Sequence, residues 1–298
     1  MRGWRNPNSI TLAYFSGTGG TKAVCDCFEE QLQKRGIVCK KINMATTSPL
    51  DIAKADMLIL FSPVYAFRLT SLTEKWVKNL PEGKKKAVSI ISVSGAGEMS
   101  PNTACRLYCK ELLKKKGYHF VYEKMIIMPS NFAIQAEPEL NLALLSVLPD
   151  KVEQIVSDIL SGKKNITVPR FSDRCFAVLG KGEHIGARFF GRSIKASKSC
   201  NQCGKCIRHC PKKNITMVNG LPKFGFHCML CMKCIYSCPR KALKPRILKF
   251  AILKDGFDLK SMTKRAREEN IRINDQQDGG VLWKGIMDYL RVDDNLKK

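Results

Sequence analysis

Residues 9–21 read Ser9-Ile10-Thr11-Leu12-Ala13-Tyr14-Phe15-Ser16-Gly17-Thr18-Gly19-Gly20-Thr21, and they decide how the N-terminal half is read. The first seven have the alternation and aromatic content of a β-strand. The next six form a Ser/Thr/Gly loop. Behind it a helical stretch carries Val24, Phe28 and Leu32 on one face. Strand, loop and helix in that order make a phosphate cradle: backbone N–H groups of the loop and helix N-terminus point at the anion, and the hydroxyls add donors. The loop holds no Arg or Lys, and Lys22 comes just after it. Hydroxyls and amides alone suit the dianionic monophosphate of a tightly held cofactor better than an exchanging nucleotide. The Walker lysine pattern and GxGxxG are both absent, which argues against ATP and NAD sites.

Outward from this loop the N-terminal half alternates as a doubly wound α/β sheet should. Strands are expected at 38–44, 57–61, 87–93 and 120–128, with helices at 70–79 and 102–116. In such a sheet the ligand sits beyond the carboxyl ends of the strands, at the switch point. The loops there are Ser62-Pro63-Val64-Tyr65-Ala66-Phe67 and Ser94-Gly95-Ala96-Gly97-Glu98. Val152, Ile155, Val156, Ile159 and Leu160 recur at helical spacing, with Asp150 expected as cap and Gly162 past the end. The apolar stretch 140–148 reads as a short extra helix.

Eight of the fourteen cysteines fall into two copies of one pattern. The first is Cys200-x2-Cys203-x2-Cys206-x3-Cys210-Pro211. The second is Cys228-x2-Cys231-x2-Cys234-x3-Cys238-Pro239. This is the bacterial run that binds two four-iron, four-sulfur clusters, the fourth cysteine of each run ligating the other run's cluster. The expected sets are Cys200, Cys203, Cys206 and Cys238, and Cys228, Cys231, Cys234 and Cys210. Structural zinc instead takes two CxxC pairs with a longer spacer. Gly204 is expected to let backbone N–H groups approach the inorganic sulfurs. Asn219-Gly220 between short apolar stretches signals a hairpin. Cys25, Cys27, Cys39, Cys105, Cys109 and Cys175 read mostly as buried free thiols. His209 and His227 receive no ligand role.

The 298 residues are enough for two domains, and the 44% apolar share is that of a globular chain. No apolar run approaches the ~18 residues that span a bilayer. The stretch 10–15 is too short for a signal-peptide core. A cytoplasmic location is expected, and free thiolates for iron imply a reducing compartment. The net charge is +25, and residues 184–254 hold sixteen Lys/Arg and no Asp or Glu. Four readings of that charge stand together: compensation of cluster charge, docking of an acidic redox partner, a solvated basic face, and nucleic-acid binding, the last not expected. Residues 171–193 read as a connector in which Phe176, Phe189 and Phe190 join the two modules. Trp283, Ile286, Met287 and Leu290 have the spacing of a terminal helix, with no function assigned.

The loop Ser16, Gly17, Thr18, Gly19, Gly20, Thr21 resembles the FMN phosphate loop of flavodoxins, T/S-G-T-G-x-T. With the two cysteine runs, residues 8–245 resemble the flavodoxin–ferredoxin fusion proteins of anaerobes, the EFR-type ferredoxins. The resemblance implies a five-stranded flavodoxin-like FMN domain over 1–170, a connector over 171–193, a small α+β two-cluster ferredoxin domain over 194–248 and an extension over 249–298. It implies flavin contacts from Pro63, Val64, Tyr65, Phe67, Ser94, Gly95, Ala96 and Gly97, with Tyr65 or Phe67 stacking on the isoalloxazine. The plain alternative for those two aromatics is packing at a strand end. The second loop departs from the flavodoxin pattern, because it has no aromatic; one flavin face is left open or covered by another part of the chain. The implied function is an electron carrier with no catalytic residue of its own. The alternative is an FMN/iron–sulfur reductase in which Glu98 or a nearby Lys or Tyr donates protons.

Overall fold

The computed structural model describes residues 4–52, 55–180, 182–269 and 280–291. The N-terminal half runs β1 (Ser9–Tyr14), α1 (Gly20–Gln33), β2 (Val38–Asn43), β3 (Met57–Tyr65), β4 (Arg68–Leu69), α2 (Ser71–Lys78), β5 (Ala87–Ser94), α3 (Leu107–Lys115), β6 (His119–Ile127), α4 (Pro138–Ser146) and α5 (Leu148–Leu160). The sheet order is β2-β1-β3-β5-β6, all parallel, with β4 added antiparallel to β3. Counting only the parallel strands, this is the flavodoxin-like order 2-1-3-4-5.

Alternation along the inner strands builds two cores. Ile10, Leu12, Met57, Ile59 and Phe61 face α1 and α5, where Val24, Phe28, Val152 and Val156 are buried. Ala13, Leu58, Leu60, Val88 and Ile90 face α2 and α3 on the other side. A strand buried on both faces needs a near-continuous apolar run, which is why 57–61 reads as one. The structure carries β3 four residues further, to Tyr65. It then folds back as β4 through Ala66 and Phe67, both left-handed with φ of 38° and 64°. Thr70 caps α2 by accepting from the Thr73 N–H at 3.2 Å. Asp150 does not cap its helix: it lies inside the first turn of α5, where Val147 takes the cap position and the Asp150 carboxylate complements the positive end of the helix dipole.

Two helices fill the expected connector, α6 (Phe171–Leu179) and α7 (Glu183–Ser193). The cysteine-rich module follows with β7 (Lys195–Ala196), α8 (Lys205–His209), β8 (Ile215–Val218), β9 (Leu221–Phe224), α9 (Lys233–Tyr236) and β10 (Leu243–Lys244). β8 and β9 close a hairpin across Asn219 and Gly220, left-handed at φ 48° and 74°, as a two-residue primed turn requires. Phe190 is buried in this module's core, and Phe189 packs edge-on against Phe226. Of the three aromatics expected to join the modules, Phe176 makes the ring contact across, 5.7 Å from Phe67. The chain then returns to the first module: α10 (Leu259–Glu268) packs Ala266 into the α1/α5 core, and α11 (Gly280–Arg291) buries Ile286, Met287 and Leu290 against α4. No helix among the described residues is long and apolar enough to cross a membrane.

Candidate functional site

The carboxyl ends of β1, β3, β5 and β6 open onto one cavity of about 610 Å3, within the ~300–1,000 Å3 usual for ligand sites. Ser16, Gly17, Thr18, Gly20 and Thr21 line it from the first loop, and Pro63, Val64, Tyr65 and Phe67 from the β3–β4 hairpin. Ser94, Gly95 and Ala96 line it from the third loop. Two residues of the expected set stand elsewhere. Gly19 faces a neighbouring cleft. Gly97 is packed under Ile127, whose side chain fills the space a Cβ would need.

The 16–21 loop is organised from within. Ser16 Oγ accepts from the Gly19 N–H at 3.1 Å, and Gly19 takes φ 111° to start α1. No carboxylate stands in the first turn of α1, so nothing on that turn opposes an anion at the helix N-terminus. Asn131, after β6, donates its Nδ2 to Thr18 Oγ1 at 2.6 Å. Sequence reading missed the 128–134 loop, since Ser130-Asn131 carries no motif. The only cue was its position at the end of the fifth parallel strand. The donor set of hydroxyls, loop amides and a carboxylate-free helix start fits a phosphate monoester.

Each expected cysteine quartet surrounds its own cavity. Cys210, Cys228, Cys231 and Cys234 line one, walled by Ile194, Leu230 and Ile235. Cys200, Cys203, Cys206 and Cys238 line the other, with Met217, Pro222 and Leu243. Among the described residues no three His, Cys, Asp or Glu converge closely enough to hold one metal ion. The two runs share a backbone conformation as well as a spacing. Gln202 and Leu230 are both left-handed at φ 58°, Gly204 and Met232 at 67° and 57°, and Lys213 and Lys241 at 48° and 44°. Met232 shows that the Gly204 position does not need glycine. Backbone amides aim at the sulfurs in the same pattern: Asn214 N–H donates to Cys210 Sγ and Ala242 N–H to Cys238 Sγ, both at 3.3 Å. Burial pushes the Cys231 thiol up to about 12 against the pull of the Lys233 N–H. A thiol so placed ionises when a metal shares its charge. Four thiols around a small apolar cavity, with amides aimed at sulfur, fit a cluster.

The inner quartet lies against the sheet-edge cavity. Leu230 lines both spaces. Cys231 is buried in the sheet's own core, and its carbonyl oxygen stands 2.6 Å from where a Cβ on Gly17 would be. The outer quartet is more open, with Cys203 exposed. Beside it runs a cleft that includes Cys238 and is lined by eight Lys/Arg against four carboxylates. Three of those carboxylates are engaged: Asp26 pairs with Lys22 and Lys41, Glu268 with Lys264, and Asp258 caps α10.

Glu98 is not at the cavity. It pairs with Arg106, accepts from Thr167 Oγ1 at 3.0 Å and from the Met125 N–H at 3.1 Å. Burial raises its carboxyl, but the Arg106 charge and these hydrogen bonds outweigh that and hold it below the usual glutamate range. An ionised, fully engaged carboxylate is no proton donor at neutral pH. Cys25, Cys105 and Cys109 are buried thiols in the two cores.

No protein-family profile and no curated protein matches the chain. Several solved structures align with its N-terminal half. The two-electron reduced flavodoxin of Megasphaera elsdenii is 22% identical, over 40% of this chain and 85% of its own, at a TM-score of 0.35. The Fusobacterium nucleatum flavodoxin bound to flavin mononucleotide is 17% identical, over 53% and 99%, at 0.38. The apo form of an NADH:FMN oxidoreductase is 17% identical, over 56% and 94%, at 0.39. At these scores the fold rests on the strand order itself.

Proposed function

We propose that this chain is an electron-transfer protein that holds FMN in the sheet-edge cavity and one four-iron, four-sulfur cluster in each cysteine cavity. Residues 1–170 form the flavin module, 171–193 the connector, 194–248 the cluster module and 249–298 an extension. FMN exchanges one or two electrons and each cluster one, so such a chain adapts one-electron to two-electron carriers. The phosphate monoester falls to Ser16, Thr18, Thr21 and the start of α1. The ring system falls to the hairpin around Tyr65 and the 94–96 loop.

The observation that carries this reading is the shared wall. Leu230 lines both the sheet-edge cavity and the cavity of the inner quartet, and the Cys231 carbonyl stands 2.6 Å from where a Cβ on Gly17 would be. Two unrelated sites have no physical need to share a residue; two redox centres that exchange electrons do need short separation. The basic cleft beside Cys238 fits docking of an acidic redox partner at the outer quartet. The engaged state of Glu98 favours a carrier over a reductase with its own proton donor.

Protein purified without oxygen is expected to hold about eight iron and eight sulfide per FMN, and to show the EPR signal of reduced four-iron clusters. Colourless protein, or protein loaded with zinc, overturns the assignment. Steady turnover of a small organic substrate with no partner protein present overturns the carrier role while leaving the cofactors in place.

A further inference from the structure

The 94–97 loop gives the sheet-edge cavity a wall of small groups, Ser94, Gly95 and Ala96. Three aromatics from further down the chain, Phe132, Phe257 and Trp283, line the same space. Trp283, on α11, lines the same cavity. Its placement follows from how α11 is held. Ile286, Met287 and Leu290 are buried against Leu140, Ala143 and Leu144 of α4. Lys151 Nζ donates to the Tyr289 carbonyl at 2.6 Å and lies 4.4 Å over the Tyr289 ring. Gly285 lets the helix close on the third loop: a Cβ there would stand 2.6 Å from the Ala96 carbonyl oxygen and 2.7 Å from Met99 Sδ. The helix is thus fixed in register on the very loop that lacks a large side chain. The chain's other two tryptophans are occupied elsewhere, Trp4 donating to the Leu160 carbonyl and Trp76 to the Thr47 carbonyl.

We propose that Trp283 is a flavin-binding residue: α11 folds back over the sheet edge and supplies the aromatic contact that the 94–97 loop cannot. The inference rests on the FMN reading above. An indole wall offers a planar heteroaromatic ring a large, polarisable surface at the cost of few rotatable bonds. It also makes cofactor binding and the docking of the C-terminal helix one equilibrium, since each completes the other's surface.

The test is FMN titration of full-length, cluster-loaded protein by equilibrium dialysis. Loss of ring stacking weakens binding roughly 5- to 100-fold, and that loss is expected for Trp283→Leu, with Trp283→Phe retaining most of the affinity. Gly285→Ala tests the same contact without touching the indole. Alanine favours the helix itself but lifts it off Ala96, so FMN affinity should fall here too, at unchanged iron content. Hydrogen exchange of wild-type α11 supplies a reading that no folding defect can mimic: its amides are expected to exchange more slowly with FMN bound. Equal FMN affinity in wild type and Trp283→Leu overturns the inference and leaves FMN binding standing. If Trp283→Leu fails to fold, unchanged α11 exchange in wild type overturns it. Wild type that binds no FMN overturns the cofactor reading, and this inference with it.

Discussion

Gly17 sits where three parts of the chain meet. A side chain there would strike the Cys231 carbonyl at 2.6 Å and the Tyr65 hydroxyl at 2.8 Å. Overpacking of this kind costs about 1–3 kcal/mol, and the cheapest relief is separation of the cysteine module from the phosphate loop. Gly17→Ala is therefore expected to keep its iron and lose FMN affinity by that amount, measured by iron assay and flavin titration on one sample. Unchanged affinity would mean the two modules are not pressed together at this loop. Tyr236 joins the modules by hydrogen bonds. Its hydroxyl accepts from the Leu253 N–H at 3.0 Å and donates to the Asn131 carbonyl at 2.9 Å, and Asn131 in turn steadies Thr18. Tyr236→Phe leaves two partly buried groups without that partner, which costs about 1–3 kcal/mol. A fall of that size in the urea midpoint stability is expected.

The third loop, α3 and β6 are tied together by a buried charge cluster. Arg106 bonds Glu98, Glu123 and Ser92, and Lys110 reaches Glu123 at 2.8 Å. Glu123→Ala leaves the buried Lys110 with no carboxylate and Arg106 with Glu98 alone, a change worth about 3–5 kcal/mol of destabilisation. Glu98 adds a pH dependence whose sign follows from its cause. Its folded-state carboxyl is held low by Arg106 against the opposing effect of burial. The stability it contributes is therefore full above the unfolded glutamate value, about 4.3, and is lost as pH falls through the lower folded value. The stability difference between wild type and Glu98→Gln should be constant from pH 8 to about 5 and shrink in more acid solution. A difference that grows on acidification would mean the carboxyl is protonated in the folded state.

Charge is distributed unevenly over the molecule, and positive charge gathers in the cleft beside the outer quartet. The cleft beside Cys238 holds Lys205, Lys241, Lys244, Lys254 and Lys260. Steering of an acidic partner by such a cleft raises association rates by roughly 10- to 1,000-fold and fades with salt. Lys241→Glu with Lys244→Glu is expected to slow reduction by an acidic donor protein at low ionic strength, to flatten its salt dependence and to leave the EPR spectrum unchanged. Equal rates for wild type and variant would locate docking elsewhere. A salt-sensitive mobility shift with RNA or DNA would replace the protein partner by a nucleic acid.

Much of this was legible in residue order. The strand–loop–helix at 9–21 and the doubled cysteine run follow from local rules, because side-chain period, glycine placement and ligand spacing act within a few residues. The four-residue excess of β3 was not legible, since Ala66 and Phe67 carry no turn signal and are held left-handed by the pairing of Tyr65 with Arg68. Nor was the cap of α5, where Asp150 is a good cap by type but sits within the first turn. Residue order also left the ends of the story open: Asn131 at the 16–21 loop, Leu230 on two cavities and Trp283 in the cavity that Ala96 lines. Those three come together because α10 and α11 return to α4 and the cysteine module docks on the sheet edge. Contacts of that range leave no period in the chain; they exist only where separate apolar surfaces, each formed locally, find one another and exclude water.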